Sequence, residues 1–181
     1  MPITLIVGGA RSGKSRYAQQ LALELWNTPI YVATSREWDD DHRARIERHR
    51  RERSTAWSTV EEQRNLADLP WDDPQVVVVV DCITLWLTNL FCDGGNHVES
   101  ALSEARQQID TIATRSAHWL LVSNELGMGV HAATDLGRKF ADLQGWVNQH
   151  AAAQAQAVAL MVAGIPLYVK GAAPVRHRYG L

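Results

Sequence analysis

Two cysteines, Cys82 and Cys92, are the only thiols in 181 residues, so no disulfide framework is implied and a reducing compartment is the default expectation. Neither sign of charge dominates. The formal net charge of -2 at pH 7 argues against a protein built to coat nucleic acid. The longest nearly apolar run, Ala157 to Val169, contains Gly164 and Pro166 and falls short of the ~20 residues of a membrane helix. The opening residues, MPITLIVGG, do not combine the basic region, apolar core and cleavage site of a signal peptide. Together these absences lead us to expect a soluble, cytoplasmic chain with no membrane span and no nucleic-acid partner. Its length fits one domain with a substantial core.

What is present alternates. The run ITLIV (Ile3 to Val7) before Gly8-Gly9 reads as a buried parallel strand. From Lys14 to about Trp26 the apolar spacing is helical, and PIYVA (Pro29 to Ala33) reads as a second strand. The basic stretch around Arg43 to Arg53 falls within a helix expected from about Asp40. A further short strand is expected after Trp57. VVVVVD (Val76 to Asp81) is the plainest strand in the chain, because five β-branched residues suit a pleat and disfavour a helix. Helical patterns run through Asn89 and over Glu99 to Arg115. HWLLVS (His118 to Ser123) is a buried strand, Leu136 to about Ala155 a long helix, and AVALMVA (Ala157 to Ala163) the strand expected to close the sheet. Strand and helix in turn predict an α/β domain, a mostly parallel sheet with helices on both faces. Residues Cys92 to His97 read as a surface loop. The domain is expected over residues 1–170, with 171–181 a poorly ordered tail. Trp86, Trp119 and Trp146 read as core residues.

Between the first strand and its helix lies GGARSGKS, Gly8 to Ser15, a G-x-x-x-x-G-K-[ST] loop in strand–loop–helix context, as in P-loop NTPases. Gly8 and Gly13 let the backbone wrap phosphate oxygens, so that N–H groups of Gly9, Ala10, Arg11 and Ser12 and the helix start face an anion. Lys14 brings a point charge to the β- and γ-phosphates, and the Ser15 hydroxyl suits Mg²⁺. Asp81 ends the polyvaline strand at the carboxyl edge, where ligands of open parallel sheets bind, and there it can hold Mg²⁺ or cap the following helix. The guanine-reading tetrapeptide N-K-x-D does not occur, which speaks against a regulatory GTPase. A small-molecule kinase and a transport or nucleic-acid ATPase stay open.

RARIERHRRER, Arg43 to Arg53, sets six arginines around His49. A solvated helix face, a nucleic-acid patch and a phosphate clamp are the three readings. On a helix Arg45 and Arg53 flank His49 at i−4 and i+4, with Glu52 beside it. Guanidinium groups clamp phosphate oxygens in pairs, and positive neighbours keep the imidazole neutral, as a nucleophile must be. His42 is the competing histidine, nearer the helix start.

GGARSGKSRYAQ, YVATS, RIERHRRERSTAWSTVEE, DCITLWLTNL, VSNELGMGV and FADLQGWVNQHAAAQA, in this order, resemble the bifunctional adenosylcobinamide kinase/adenosylcobinamide-phosphate guanylyltransferase family of cobalamin biosynthesis. The resemblance covers Met1 to about Lys170. It implies two reactions on one scaffold: phosphorylation of adenosylcobinamide by a nucleoside triphosphate, GTP or ATP, and transfer of GMP from GTP through His49 to give adenosylcobinamide-GDP. It further implies that Ala33, Thr34 and Ser35 line the nucleotide site, that Arg50, Arg51, Glu52 and Arg53 contact guanosine or phosphates, and that Glu61, with Glu62 as its competitor, meets guanine or ribose. Mg²⁺ and a homo-oligomer, a trimer with sites between subunits, belong to the same expectation. Arg48 stands where relatives can carry a second histidine. Asn124, Glu125 and Asn148 are left as substrate-side or structural, and the C-terminal segment with His177 has no assigned role. A monofunctional kinase of another alcohol is the alternative.

Overall fold

The computed structural model of the protein describes residues 3–36 and 56–174. Strand β1 (Ile3–Gly8) leads into helix α1 (Lys14–Leu25), followed by β2 (Ile30–Ala33) and β3 (Ser58–Glu61). Then come β4 (Val77–Asp81), α2 (Ile83–Asp93), α3 (Val98–Ala113), β5 (His118–Asn124), α4 (Asp135–Gln154) and the hairpin β6 (Ala157–Val162) and β7 (Ile165–Lys170). The strands form one sheet in the order β3-β2-β4-β5-β1-β6-β7. All neighbours are parallel except β6 and β7. The expected helix over the arginine stretch, with His49, Arg50, Arg51, Glu52 and Arg53, lies outside the described residues, as does 175–181.

Alternation along the strands divides the core in two. Ile3, Leu5, Val7, Val78, Val80, Trp119 and Leu121 pack under α2, α3 and α4. Ile6, Tyr31, Val77, Val79, Leu120 and Val122 pack under α1 through Ala18, Leu21, Ala22 and Leu25. Because side chains on a strand point alternately to opposite faces, strands buried on both sides must be apolar throughout, which is why Val77 to Val80 read as an unbroken run. Helices therefore cover both faces: among the described residues, α1 packs on one and the other three opposite.

Three expectations need correction. The sheet is not closed by the strand at Ala157–Val162: β7 pairs antiparallel outside it, and Ala163 and Gly164 (φ 50° and 85°) make the two-residue turn between them. Two consecutive positive φ angles match the right-handed twist of a hairpin, but Ala-Gly is a weak sequence signal for it. Trp146 is not a core residue. Trp86 and Trp119 are fully buried, whereas Trp146 is 40% exposed on α4. Helix α2 also runs on through Asp93, so the loop is shorter than Cys92 to His97. Among the described residues no helix is long and apolar enough to cross a membrane.

Candidate active site

The carboxyl ends of the six parallel strands share one edge. Gly8 lies beside Asn124, Ala33 beside both Glu61 and Asp81, and Asp81 beside Val122. Ile6, Tyr31, Val79 and Val122 point toward α1, so alternation carries Gly8, Ala33, Asp81 and Asn124 to that same face two residues later. Val60 packs on the opposite side, which turns Glu61 toward the α1 face as well. A loop, an acidic strand end and a polar strand end thus converge on one side of one edge.

The loop between β1 and α1 is built for close approach. A Cβ on Gly8 would stand 2.7 Å from the Met161 carbonyl oxygen and 2.7 Å from Ser12 Oγ, so only glycine fits. Gly13 caps α1 at φ 94°, and a Cβ there would meet the Gly164 Cα at 3.2 Å. The β6–β7 turn is the loop's rear support, since the Gly164 N–H donates to the Ser12 carbonyl at 3.0 Å. Gly9, Ala10 and Arg11 form the exposed tip, with Arg11 left-handed at φ 57°. Lys14 is buried, and its Nζ donates to the Gly9 carbonyl at 2.7 Å. The Ser12 hydroxyl is buried and has no hydrogen-bond partner among the described residues. Such a group costs free energy unless something occupies the cradle, and an anion at the loop would accept its proton. Ser15 follows at the first turn of α1, half-buried.

Asp81 is oriented rather than merely placed. The Tyr31 hydroxyl donates to its Oδ2 at 2.8 Å, and Tyr31 is itself wedged edge-on against Trp57, with ring centroids 6.0 Å apart. The Asp81 carboxylate and the Ser15 hydroxyl are hard oxygen donors, the set that Mg²⁺ takes together with phosphate oxygens and water. The residues present therefore fit the ion. The adjoining Cys82 thiol is pushed up to about 12 by burial and by the neighbouring Asp81 charge, so it stays protonated and unreactive.

The exit of β2 is held from inside. Thr34 is fully buried; its hydroxyl donates to the Cys82 carbonyl at 2.7 Å and accepts from the Cys82 N–H at 2.8 Å. Its side chain thus fastens β2 to the start of α2, while Ala33 and Ser35 on either side are half-exposed. The two glutamates after Val60 differ. One oxygen of Glu62 accepts from the N–H groups of both Arg64 and Asn65 at 2.7 Å, which ties that carboxylate to its own turn. Glu61 ends β3 at the exposed edge.

Helix α2 brackets the whole edge, and this was not visible in sequence. Asn89, fully buried, donates to the carbonyls of Thr34 at 2.9 Å and Gln63 at 2.8 Å. Trp86 Nε1 donates to Arg64 O at 2.8 Å, and the Asn124 N–H donates to Thr84 Oγ1 at 3.0 Å. One helix therefore fixes the exits of β2, β3 and β5. Arg36, just beyond β2, forks onto both oxygens of Asp93 at the end of α2 at 2.7 and 2.6 Å. Those bonds hold the Asp93 carboxyl at about 2.

With this geometry, comparison with known proteins is decisive. The family model described as cobinamide kinase / cobinamide phosphate guanyltransferase matches residues 4–169. The chain belongs to this family. Among curated members, the bifunctional adenosylcobalamin biosynthesis protein CobP of Pseudomonas aeruginosa is 38% identical over 170 residues, covering 92% of this chain and 96% of that protein. The bifunctional adenosylcobalamin biosynthesis protein CobU of Escherichia coli is 40% identical over 179 residues, with 92% and 98% covered. CobU of Salmonella typhimurium is 39% identical, with the same coverage. In this member of the cobinamide kinase / guanyltransferase family, the loop after β1, Asp81 at the end of β4 and Asn124 at the end of β5 share one edge of the sheet.

Proposed function

We propose that this protein phosphorylates the aminopropanol hydroxyl of adenosylcobinamide with a nucleoside triphosphate and then converts the phosphate to adenosylcobinamide-GDP with GTP. The observation that carries this assignment is the loop of Gly8 to Ser15, with a buried lysine and a buried hydroxyl that has no partner among the described residues, in a chain of this family. It acts as a P-loop of the NTPase kind. Backbone N–H groups of Gly9 to Gly13 and the start of α1 hold phosphate oxygens, and Lys14 neutralises charge on the β- and γ-phosphates. Ser15 and Asp81 would hold Mg²⁺, which supplies charge neutralisation across the phosphates when bound.

In the kinase step the substrate oxygen bonds to the γ-phosphorus, the bond to the β-bridging oxygen breaks, and the hydroxyl proton leaves with the nucleoside diphosphate released. Positioning and electrostatics supply most of the rate. In the second reaction a nitrogen of His49 attacks the α-phosphorus of GTP and pyrophosphate departs. A phosphate oxygen of adenosylcobinamide phosphate then takes the GMP, breaking the P–N bond and restoring the imidazole. Arg50 to Arg53 would contact phosphates or guanosine next to that histidine. Ala33, Thr34 and Ser35 form the floor beside the nucleotide, Thr34 through its backbone. Glu61, with Glu62 as its competitor, is the acidic contact to guanine or ribose, because it ends β3 at the carboxyl edge on the α1 side. Assembly into a homo-oligomer, a trimer, belongs to the same proposal, and the exposed apolar stripe of Val162, Ile165, Leu167 and Val169 is surface that such a contact would cover. The cytoplasm, where these nucleotides are made, is the compartment it suits.

The test is a separation of activities. Incubation with α-labelled GTP and Mg²⁺ should give an acid-labile, base-stable adduct that maps to His49. His49→Ala should lose the adduct and adenosylcobinamide-GDP yet still phosphorylate adenosylcobinamide, while His42→Ala should retain both activities. An adduct that survives in His49→Ala refutes the nucleophile. Loss of both activities in a folded His49→Ala protein would instead favour a monofunctional kinase in which His49 holds phosphate.

A further inference from the structure

At the centre of the working edge, the end of β5 is fixed more heavily than its neighbours. Ser123 Oγ donates to Asn148 Oδ1 at 2.6 Å, and Gln144 Nε2 donates to both Ser123 Oγ and Asn148 Oδ1 at 3.0 Å. Asn148 Nδ2 in turn donates to the Asn124 carbonyl at 3.0 Å. On the other side, the Asn124 N–H reaches Thr84 Oγ1 at 3.0 Å. The next N–H, of Glu125, donates to the Gly8 carbonyl at 3.0 Å, so β5 is tied directly to the phosphate loop. Ser123, Gln144 and Asn148 are buried polar groups joined by these bonds, with Gln144 Oε1 alone lacking a partner among the described residues, and such networks favour one arrangement. All of this rigidity converges on the backbone of a single residue. Its own side chain is half-buried and has no hydrogen-bond partner among the described residues.

Topology says what that side chain meets. Strand β5 lies between β1, which carries the loop, and β4, which carries Asp81. Adjacent strands are about 4.8 Å apart, so the two flanking ends are about 10 Å apart with Asn124 midway. With Ser123 turned into the α4 side, alternation turns Asn124 to the α1 side, the side of Lys14 and Asp81. A phosphate that touches Lys14 and also shares a cation with Asp81 must lie over this strand end. In a triphosphate held by its α- and β-groups in the loop, that phosphate is the terminal one.

Resting on the nucleotide assignment above, we infer that the carboxamide of Asn124 donates a hydrogen bond to the terminal phosphate of the bound nucleoside triphosphate. The Ser123–Gln144–Asn148 network and Thr84 are its positioning residues. Asn124 thereby distinguishes the triphosphate from the diphosphate product, and it binds the group that the kinase step transfers.

The experiment uses two probes that differ only in that phosphate: α,β-methylene-GTP and α,β-methylene-GDP, neither open to attack at the α-phosphorus with pyrophosphate as leaving group. Their dissociation constants are measured by calorimetry with Mg²⁺ for the full chain, Asn124→Ala, Asn124→Asp and Lys14→Ala. A hydrogen bond to a charged group predicts that Asn124→Ala weakens the triphosphate analogue about ten- to a hundredfold and leaves the diphosphate analogue within about twofold. Asn124→Asp should weaken the triphosphate further through like-charge repulsion. Equal losses for both probes, or an unchanged ratio in a site that Lys14→Ala abolishes, overturn the role of Asn124 alone. If the wild-type chain binds neither probe, or Lys14→Ala leaves binding intact, the nucleotide assignment falls and this role falls with it.

Discussion

Lys14 is the residue on which the proposed chemistry leans most. It is buried, and one bond of its ammonium goes to the Gly9 carbonyl 2.7 Å away, in the loop proposed to hold phosphate. A point charge there would meet the β- and γ-phosphates in both reactions. Lys14→Met, which keeps the long apolar stem and removes the charge, should still fold cooperatively, while depressing kinase and guanylylation rates by orders of magnitude. Denaturant titration beside the two assays checks both halves, and near-normal activity in either assay would point to a second nucleotide site. The glycines and lysine of the loop were legible because their chemistry demands a fixed local spacing. Tyr31, which aims Asp81 from 50 residues away, and Thr84, Asn89 and Gln144 were not. Apart from the Gln144–Asn148 bond within α4, the bonds that hold these residues in place span 21 to 55 residues of chain, and a residue type alone does not announce a partner that folding supplies. Asn124 and Asn148 could be noted as polar residues but not joined to each other.

At the scale of elements, the strands were legible where burial on both faces forced continuous apolar runs, as in β1, β4 and β5. Strand β7 was not, because its exposed Ile165, Leu167 and Val169 merge in sequence with β6, and Pro166 on an edge strand looks like a break. That hairpin matters to the site, since its turn supports the phosphate loop from behind. Two glycines meet there with different reasons to be glycine. Gly164 has φ 85° but open space where a Cβ would go, whereas Gly13 combines φ 94° with a backbone atom 3.2 Å from that position. Gly164→Ala should thus cost only the left-handed strain of about 1–2 kcal/mol and keep nucleotide binding. Gly13→Ala adds a tight contact with the backbone of the β6–β7 turn, so loop and turn must part by a few tenths of an ångström. It should weaken triphosphate binding more than tenfold at a comparable loss of stability. Paired melts and nucleotide titrations decide it: equal effects on binding would mean that the hairpin does not set the loop's shape.

The whole molecule is polarised along its strands. Every residue assigned to chemistry among the described residues lies at the carboxyl edge, while the opposite edge carries a titratable group with only a structural consequence. His118 begins β5, with its Nε2 3.4 Å from Thr4 Oγ1, about 20 Å from Asn124 at 3.3 Å per residue. Burial, chiefly, pushes its imidazolium down to about 4 from the ordinary 6.5. Between those two values the unfolded chain binds the proton and the folded chain does not, so acidification favours unfolding. The contribution is complete above about pH 6.5 and is lost progressively as pH falls toward 4. At 1.36 kcal/mol per unit, the shift from 6.5 to about 4 sets an upper bound of about 3 kcal/mol. His118→Phe, which keeps an aromatic ring and cannot titrate, should flatten most of the stability slope over that window in urea titrations at stepped pH. Because the edge proposed to bind nucleotide lies a full strand away, the same variant should bind α,β-methylene-GTP as the wild type does at pH 7.5. A slope as steep as wild type would assign the acid sensitivity to other groups. A weakened nucleotide affinity at neutral pH would mean that the two edges are coupled through β5, contrary to a sheet whose working end is fixed locally by α2 and α4.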